Sequence, residues 1–166
     1  MSNVLITGIS GFVGPFLKKV LENEHKVYGI DQKTVMDKSV YQVDLLDIKS
    51  LEGVVEKIHP VQIYHLAGFS SVKESFANPK LAYDVNVTGT ENLFSAAMKL
   101  TKKPKILLVS SAEVYGKPNH LPITEEHSLA PQSPYGKSRV IQEQLAKSTN
   151  LPICVARSFN HSGPGQ

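Results

Sequence analysis

Three residues carry types and a spacing that could do chemistry: Ser111, Tyr135 and Arg139. Arg139 follows Tyr135 by four places in a stretch with helical patterning, and residues four apart share a helix face, so phenol and cation can look at one ligand. A fixed positive charge beside a phenol favours the phenolate, which lets a tyrosine take up and return a proton near neutral pH. Ser111 closes a strongly apolar run, Lys105 to Ser110, and its hydroxyl could hold the oxygen on which such a proton lands. Taken singly, a tyrosine opening a helix and a serine ending a strand are also ordinary surface features.

A second constellation near the start of the chain gives the set its weight. Val4 to Gly14 reads Val-Leu-Ile-Thr-Gly-Ile-Ser-Gly-Phe-Val-Gly, a short apolar run suited to a buried strand and then a glycine-punctuated turn. Gly8 permits the sharp turn, Gly11 lets backbone approach a pyrophosphate, and Gly14 lets the next helix lie close. Ser10, Phe12 and Val13 fill the same cradle, and the pyrophosphate would rest on the helix N-terminus. Three glycines also fit a plain loop, but Lys26 to Ile30 then forms a second strand-like run ending in Asp31. That is where a dinucleotide-binding unit places the carboxylate that accepts from the adenosine ribose. Asp31 would repel a 2′-phosphate, which favours NAD over NADP, while Lys33 softens the exclusion.

The elements that must position these residues follow in order. Phe12, Val13, Phe16, Leu17, Val20 and Leu21 recur at helical spacing, with Pro15 in the first turn. Tyr41 to Val43 is a short strand, Asp47 caps a helix through Ile58, and His59-Pro60 stops it. Val61 to Leu66 is the next strand; Asn78-Pro79 opens one long helix to about Leu100, with Asn86 as a polar interruption. Lys117 to Pro134 is a long surface loop, Tyr135 to Thr149 a helix, and Leu151 to Arg157 a final strand that makes Cys154 a core residue. Strands alternating with helices predict an α/β domain: a doubly wound parallel sheet, the Rossmann fold, in three αβα layers. Ligands in such sheets bind at the carboxyl ends of the strands, where the unusual residues gather.

Composition bounds the function classes. The 166 residues suit one domain, and the 41% hydrophobic, 20% charged make-up is that of a globular protein. A formal charge of +3 with scattered lysines argues against nucleic acid, and no apolar run approaches the ~20 residues of a membrane helix. The first strand starts so near Met1 that a signal peptide is not expected, and the single cysteine fits a reducing cytoplasm. The six histidines lack paired metal-ligand spacing, so no metal site is expected.

As an ordered set, the glycine turn, Asp31, Asp44-Leu45, His65-Leu66-Ala67-Gly68, Asn86-Val87-Thr88-Gly89-Thr90, Ser110-Ser111-Ala112-Glu113-Val114-Tyr115-Gly116, Ser133-Pro134-Tyr135-Gly136-Lys137-Ser138-Arg139 and Arg157-Ser158-Phe159-Asn160 resemble the extended short-chain dehydrogenase/reductases, the NAD-dependent epimerase/dehydratase family. The resemblance implies an NAD(P)-binding domain over 1–166. Asp44 and Leu45 would lie near adenine, Leu66, Ala67 and Gly68 along the cofactor, and Asn86 and Ser110 beside it. Ser111 and Tyr135 would be the catalytic pair, with Arg139 and Glu113 assisting. Ser71, Glu113 and Asn160 would meet a nucleotide-sugar. It also implies a homodimer through the helices over 78–100 and 135–149, and a C-terminal substrate domain beyond Gln166.

Within the family, Gly68 to Val72 and Phe159 to Gln166 look most like the GDP-mannose 4,6-dehydratase and GDP-6-deoxy-4-keto-mannose reductase branch. Glu113 matches a dehydratase base, although reductases of this branch also carry an acid there. Ala112 replaces the aspartate of dTDP-glucose 4,6-dehydratases. Where the family has Tyr-x-x-x-Lys this chain has Arg139, whose planar fork does not copy a lysine's compact contact to the nicotinamide ribose. On that basis Arg139→Lys is expected to improve catalysis. Three readings stay open: hydride transfer at C4 of a nucleotide-linked hexose, with GDP as the expected nucleotide; a dinucleotide-binding module without turnover; and a nucleotide-sugar 4-epimerase.

Overall fold

A computed structural model of the chain describes residues 1–34 and 36–164. Its elements are β1 (Ser2–Thr7), α1 (Gly14–Leu21), β2 (His25–Asp31), β3 (Val40–Gln42), α2 (Ile48–Ile58), β4 (Gln62–His65), α3 (Val72–Ala77), α4 (Pro79–Tyr83), α5 (Gly89–Lys99), β5 (Lys105–Ser111), α6 (Pro134–Ser148) and β6 (Ile153–Ser158). The six strands form one parallel sheet in the order β3-β2-β1-β4-β5-β6. Strand order reverses between β1 and β4, which opens a crevice at their carboxyl ends.

The sheet is covered on both faces because its central strands are apolar on both. Leu5, Ile30, Ile63, Ile106 and Leu108 pack with Leu51 and Val55 of α2, Leu93, Phe94 and Ala97 of α5, and Ala146 of α6. Val4, Ile6, Ile9 and Val27 pack on the other side with Leu17 and Leu21 of α1. Complete burial of Leu5 and Ile6 is worth ~1.5–3 kcal/mol each, enough to fix the register of β1 at the centre of the sheet. Of the apolar positions read for the first helix, Val13, Phe16 and Val20 are exposed.

One expectation changes. Cys154 is exposed, not core. Its neighbours Ile153 and Val155 pack on the α6 side, so Cys154 points from the opposite face of an edge strand, which no helix covers among the described residues. The helix expected from Asn78 to about Leu100 is there: Pro79 keeps Asn78 out of helical geometry (φ −131°, ψ 63°), so the separate α3 ends before it and α4 starts at Pro79. Helical geometry then runs on to Lys99 through a π-helical turn at Asp84–Thr88, with the Gly89 amide donating to the Asp84 carbonyl, before α5. The extra residue re-aims Asn86 inward. Sequence periodicity cannot show such a turn, because it leaves the apolar pattern on either side intact. The run Gly165-Gln166 at the end of the last Gly/Pro-rich stretch lies outside the described residues.

Gly14 is buried, and a Cβ there would overlap the carbonyl group of Ile9. Gly14→Ala is therefore expected to lower the urea midpoint with an unfolding cost of ~1–3 kcal/mol, the range for overpacking against backbone. Gly53→Ala, facing open space, should leave stability level or raised.

Candidate functional site

The crevice is a cleft of about 960 Å³ lined from the glycine turn at one end to Tyr135 and Asn160 at the other. Gly8 has φ +71°, and a Cβ on it would sit 2.7 Å from the backbone of Ala67, so the turn lies directly against the segment after β4. The Gly8 amide donates to the Ile30 carbonyl at 2.8 Å and the Gly11 amide to the Gly8 carbonyl at 3.0 Å. Ser10, Phe12 and Val13 line the cleft with them. The Asp31 carboxylate is held on both oxygens, by the Ser10 amide at 2.9 Å and the Lys33 amide at 3.0 Å. It is thereby aimed along the turn and fixed in place. Asp44 and Leu45 form the wall beyond it. Asp44 Oδ1 accepts from the Leu46 amide at 2.9 Å, and Asn92 of α5 donates to the Leu45 carbonyl at 2.9 Å.

At the other end the strand tips and α6 converge. Ser133 caps α6 by accepting from the Gly136 amide at 2.9 Å, which together with Pro134 puts Tyr135 in the first helical turn. Ser110 and Ser111 end β5 and Glu113 follows it, and Ser111 Oγ accepts from the Glu113 amide at 3.2 Å, so that the chain turns and leaves Glu113 exposed on the rim. Leu66, Ala67, Gly68 and Asn160 complete the lining. Tyr135 and Arg139 are 7% and 5% exposed, and the guanidinium carbon lies 5.2 Å from the centre of the Tyr135 ring. The shared helix face expected from their spacing is there, as a cation against an aromatic face.

Two of the expected site residues do not line the cleft. Ser71 caps α3, accepting from the Glu74 amide at 3.1 Å. Asn86 lies behind the wall, fully buried: it accepts from the Phe69 amide at 2.8 Å and donates to the Phe69 carbonyl at 3.2 Å and to Ser138 Oγ at 2.9 Å. It shapes the Gly68-Phe69 wall, and Gly68 has no room for a Cβ, which would lie 2.7 Å from Arg139 Nη2 and 2.8 Å from Asn86 Oδ1.

Sequence reasoning missed two buried polar groupings. Thr7, His65, Thr90 and Gln142 form a hydrogen-bonded row beneath the cleft, from β1 to α6. Arg157 of β6 pairs with Glu143 of α6 at 2.8 Å, while Glu143 accepts from Ser110 Oγ at 2.6 Å and Arg157 reaches Tyr115 Oη and the Glu125 carbonyl. The second grouping anchors the long loop after β5 to the sheet. The available signal was the polar stripe Ser138, Arg139, Gln142, Glu143 along α6, which reads as solvent-facing until the helix is docked.

A sequence model of the family described as GDP-mannose 4,6 dehydratase matches residues 5–166. The chain belongs to that family. Among its relatives, the GDP-6-deoxy-D-mannose reductase of Pseudomonas aeruginosa is 34% identical over 98% of this chain and 53% of its own length. The UDP-glucose 4-epimerase of Mycoplasma genitalium is 33% identical over 98% and 53%. The crystal structure of the UDP-glucose 4-epimerase of Brucella ovis, in complex with NAD, superposes with a TM-score of 0.87 at 32% identity, covering 96% of this chain and 52% of that one. The chain spans about half the length of the curated relatives it matches.

His65 is 1% exposed, and burial, helped by the Arg139 charge, pushes its imidazole down to about 3. Between about pH 6.5 and that value the unfolded chain takes up a proton that the native chain refuses. Its stabilising effect is complete above pH 6.5 and is lost as pH falls, by up to ~1.4 kcal/mol per pH unit. Urea unfolding between pH 6.5 and 4 should show this slope, and His65→Gln should flatten it.

Proposed function

We propose that this chain is the NAD-binding and catalytic half of a nucleotide-sugar oxidoreductase that moves hydride and proton at C4 of a nucleotide-linked hexose. The observation that carries the reading is the meeting of Ser111, Tyr135 and Arg139 with the glycine turn and Asp31 in one cleft at the strand carboxyl ends. The cofactor fits the residues present. A turn with glycine at 8, 11 and 14 opens α1, and a carboxylate with both oxygens fixed by amides waits at its side, the pairing that a pyrophosphate and an adenosine ribose require. Asp44 and Leu45 would hold adenine, and Leu66, Ala67 and Gly68 the middle of the cofactor. When bound, NAD supplies the hydride acceptor and donor.

The chain's own residues do the rest. Tyr135 Oη would give a proton to, or take one from, the C4 oxygen of the sugar, with the Arg139 guanidinium packed over its ring. Ser111 would hold the same oxygen, and Glu113 and Asn160, exposed at the rim, would meet the sugar or its nucleotide. A GDP-hexose substrate is supported by the family that matches and by the likeness to the Pseudomonas aeruginosa reductase. A 4-epimerase is supported to the same degree by the likeness to the Mycoplasma genitalium and Brucella ovis enzymes, because both reactions would move a hydride at C4 and a proton at its oxygen. Whichever holds, residues 1–166 would be one cofactor domain whose partner domain supplies substrate binding, so that the chain by itself binds dinucleotide with little or no turnover. A cytoplasmic setting goes with this chemistry and with the single free cysteine.

Calorimetric titration with NAD⁺ and NADP⁺ tests the reading: NAD⁺ should bind more tightly, and Asp31→Ala should narrow or invert that preference by removing the ribose acceptor and the repulsion of a 2′-phosphate. Equal affinity for both in the unmodified chain would sink the assignment of Asp31. We also propose a homodimer through α4, α5 and α6. Leu93 and Phe94 are spent on the core, but Leu81, Tyr83 and Met98 are exposed and Val140 and Ile141 half-buried. Light scattering at tens of micromolar should give twice the chain mass, and a monomer with the fold intact would refute it.

A further inference from the structure

Arg139 is surrounded by a built receptor for a guanidinium. Nη1 donates to Gln142 Oε1 at 2.8 Å and to the Val109 carbonyl at 3.2 Å, and Nη2 to the Phe69 carbonyl at 3.4 Å. These acceptors lie on α6, on β5 and on the segment after β4, so they address both terminal nitrogens of a planar fork. Gly68 gives the fork the space of a missing Cβ. Nε is buried without an acceptor among the described residues.

Gln142 is fully buried, and the row behind it dictates which way its amide faces. A threonine hydroxyl has one hydrogen, and Thr90 Oγ1 uses it on the Asn86 carbonyl at 2.6 Å. Thr90 must therefore accept from Gln142 Nε2, at 2.6 Å, and from His65 Nε2, at 2.9 Å. His65 Nδ1 is then left to accept from the Thr7 hydroxyl at 2.7 Å, which itself accepts from the Ala67 amide at 3.3 Å. Every proton in the row is assigned, and the only arrangement that satisfies it turns Gln142 Oε1 to Arg139. The row begins on β1, immediately before Gly8, and ends at the cation beside Tyr135.

We propose that Gln142 is a positioning residue that holds the Arg139 guanidinium for cofactor binding, so that arginine is the cation this site is built for and lysine is its inferior. The expectation from the family motif alone, that lysine would improve the site, is thereby reversed. A single ammonium cannot reach acceptors set on both sides of the fork, and it would leave Gln142 Oε1 or a strand-end carbonyl buried without a donor.

The inference rests on the dinucleotide reading above, and its test separates the two. NAD⁺ is titrated calorimetrically into the unmodified chain, Arg139→Lys, Gln142→Met and the double variant, with urea unfolding followed in parallel. Arg139→Lys should weaken binding about tenfold and Gln142→Met by a similar factor, the cost of losing a buried charge-assisted hydrogen bond. The double variant should bind no more weakly than Arg139→Lys alone, since Gln142 acts through the guanidinium. A merely structural Gln142 would lower the urea midpoint and leave the affinity of the folded protein unmoved. Lysine binding NAD⁺ as tightly as arginine, or losses that multiply in the double variant, would overturn the inference. If Gln142→Met does not fold, the Arg139→Lys titration decides alone. A flat titration of the unmodified chain would strike down the dinucleotide reading itself, before any variant is compared, and the inference with it.

Discussion

A buried guanidinium is the constraint from which the middle of this structure follows. Removing a cation from water costs several kcal/mol unless its donors are met, and Arg139 is 5% exposed. Its acceptors are backbone carbonyls at the ends of two structural segments and one amide side chain, which ties β5, the wall after β4 and α6 to a common point. The same charge helps keep His65 neutral, and a neutral His65 can accept from Thr7 and donate to Thr90. The guanidinium beside Tyr135 and the buried imidazole of His65 are thus parts of one arrangement.

That arrangement explains local features that look unrelated. The π turn at Asp84–Thr88 puts Asn86 where its side chain holds both backbone groups of Phe69, whose carbonyl also receives Arg139. Gly68 is small because a Cβ would strike both Arg139 and Asn86. The inner face of α6 is polar because it meets hydrogen-bonding groups at the edge of the sheet rather than an apolar layer. One turn further along α6, Glu143 and Arg157 repeat the solution with opposite charges paired, and through Glu125 they fasten the long loop that leaves β5.

Much of the fold could be read along the chain because α/β domains write their elements locally. Apolar runs of strand length, Asp47 as a helix cap and Pro15 in a first helical turn each act through neighbours in sequence, and each appears where its local chemistry puts it. The cleft was legible for the same reason. Parallel strands deliver their carboxyl ends to one edge, so Gly8, Asp31, Gly68, Ser111 and Tyr135 had to converge once the strands were placed. Cys154 misled because an apolar run says a strand is buried without saying which of its faces is covered.

The sequence by itself determined the parallel sheet, the glycine cradle with its carboxylate, and the tyrosine and cation on one helical face. These depend on spacings of a few residues, which local geometry converts directly into position. Only the tertiary structure decided what surrounds the cation. Thr7, His65, Thr90 and Gln142 lie far apart in sequence, and none is unusual where it stands. Their meaning comes from being buried together, where each hydrogen has one place to go, and that requirement exists only after the strands and helices have closed over them.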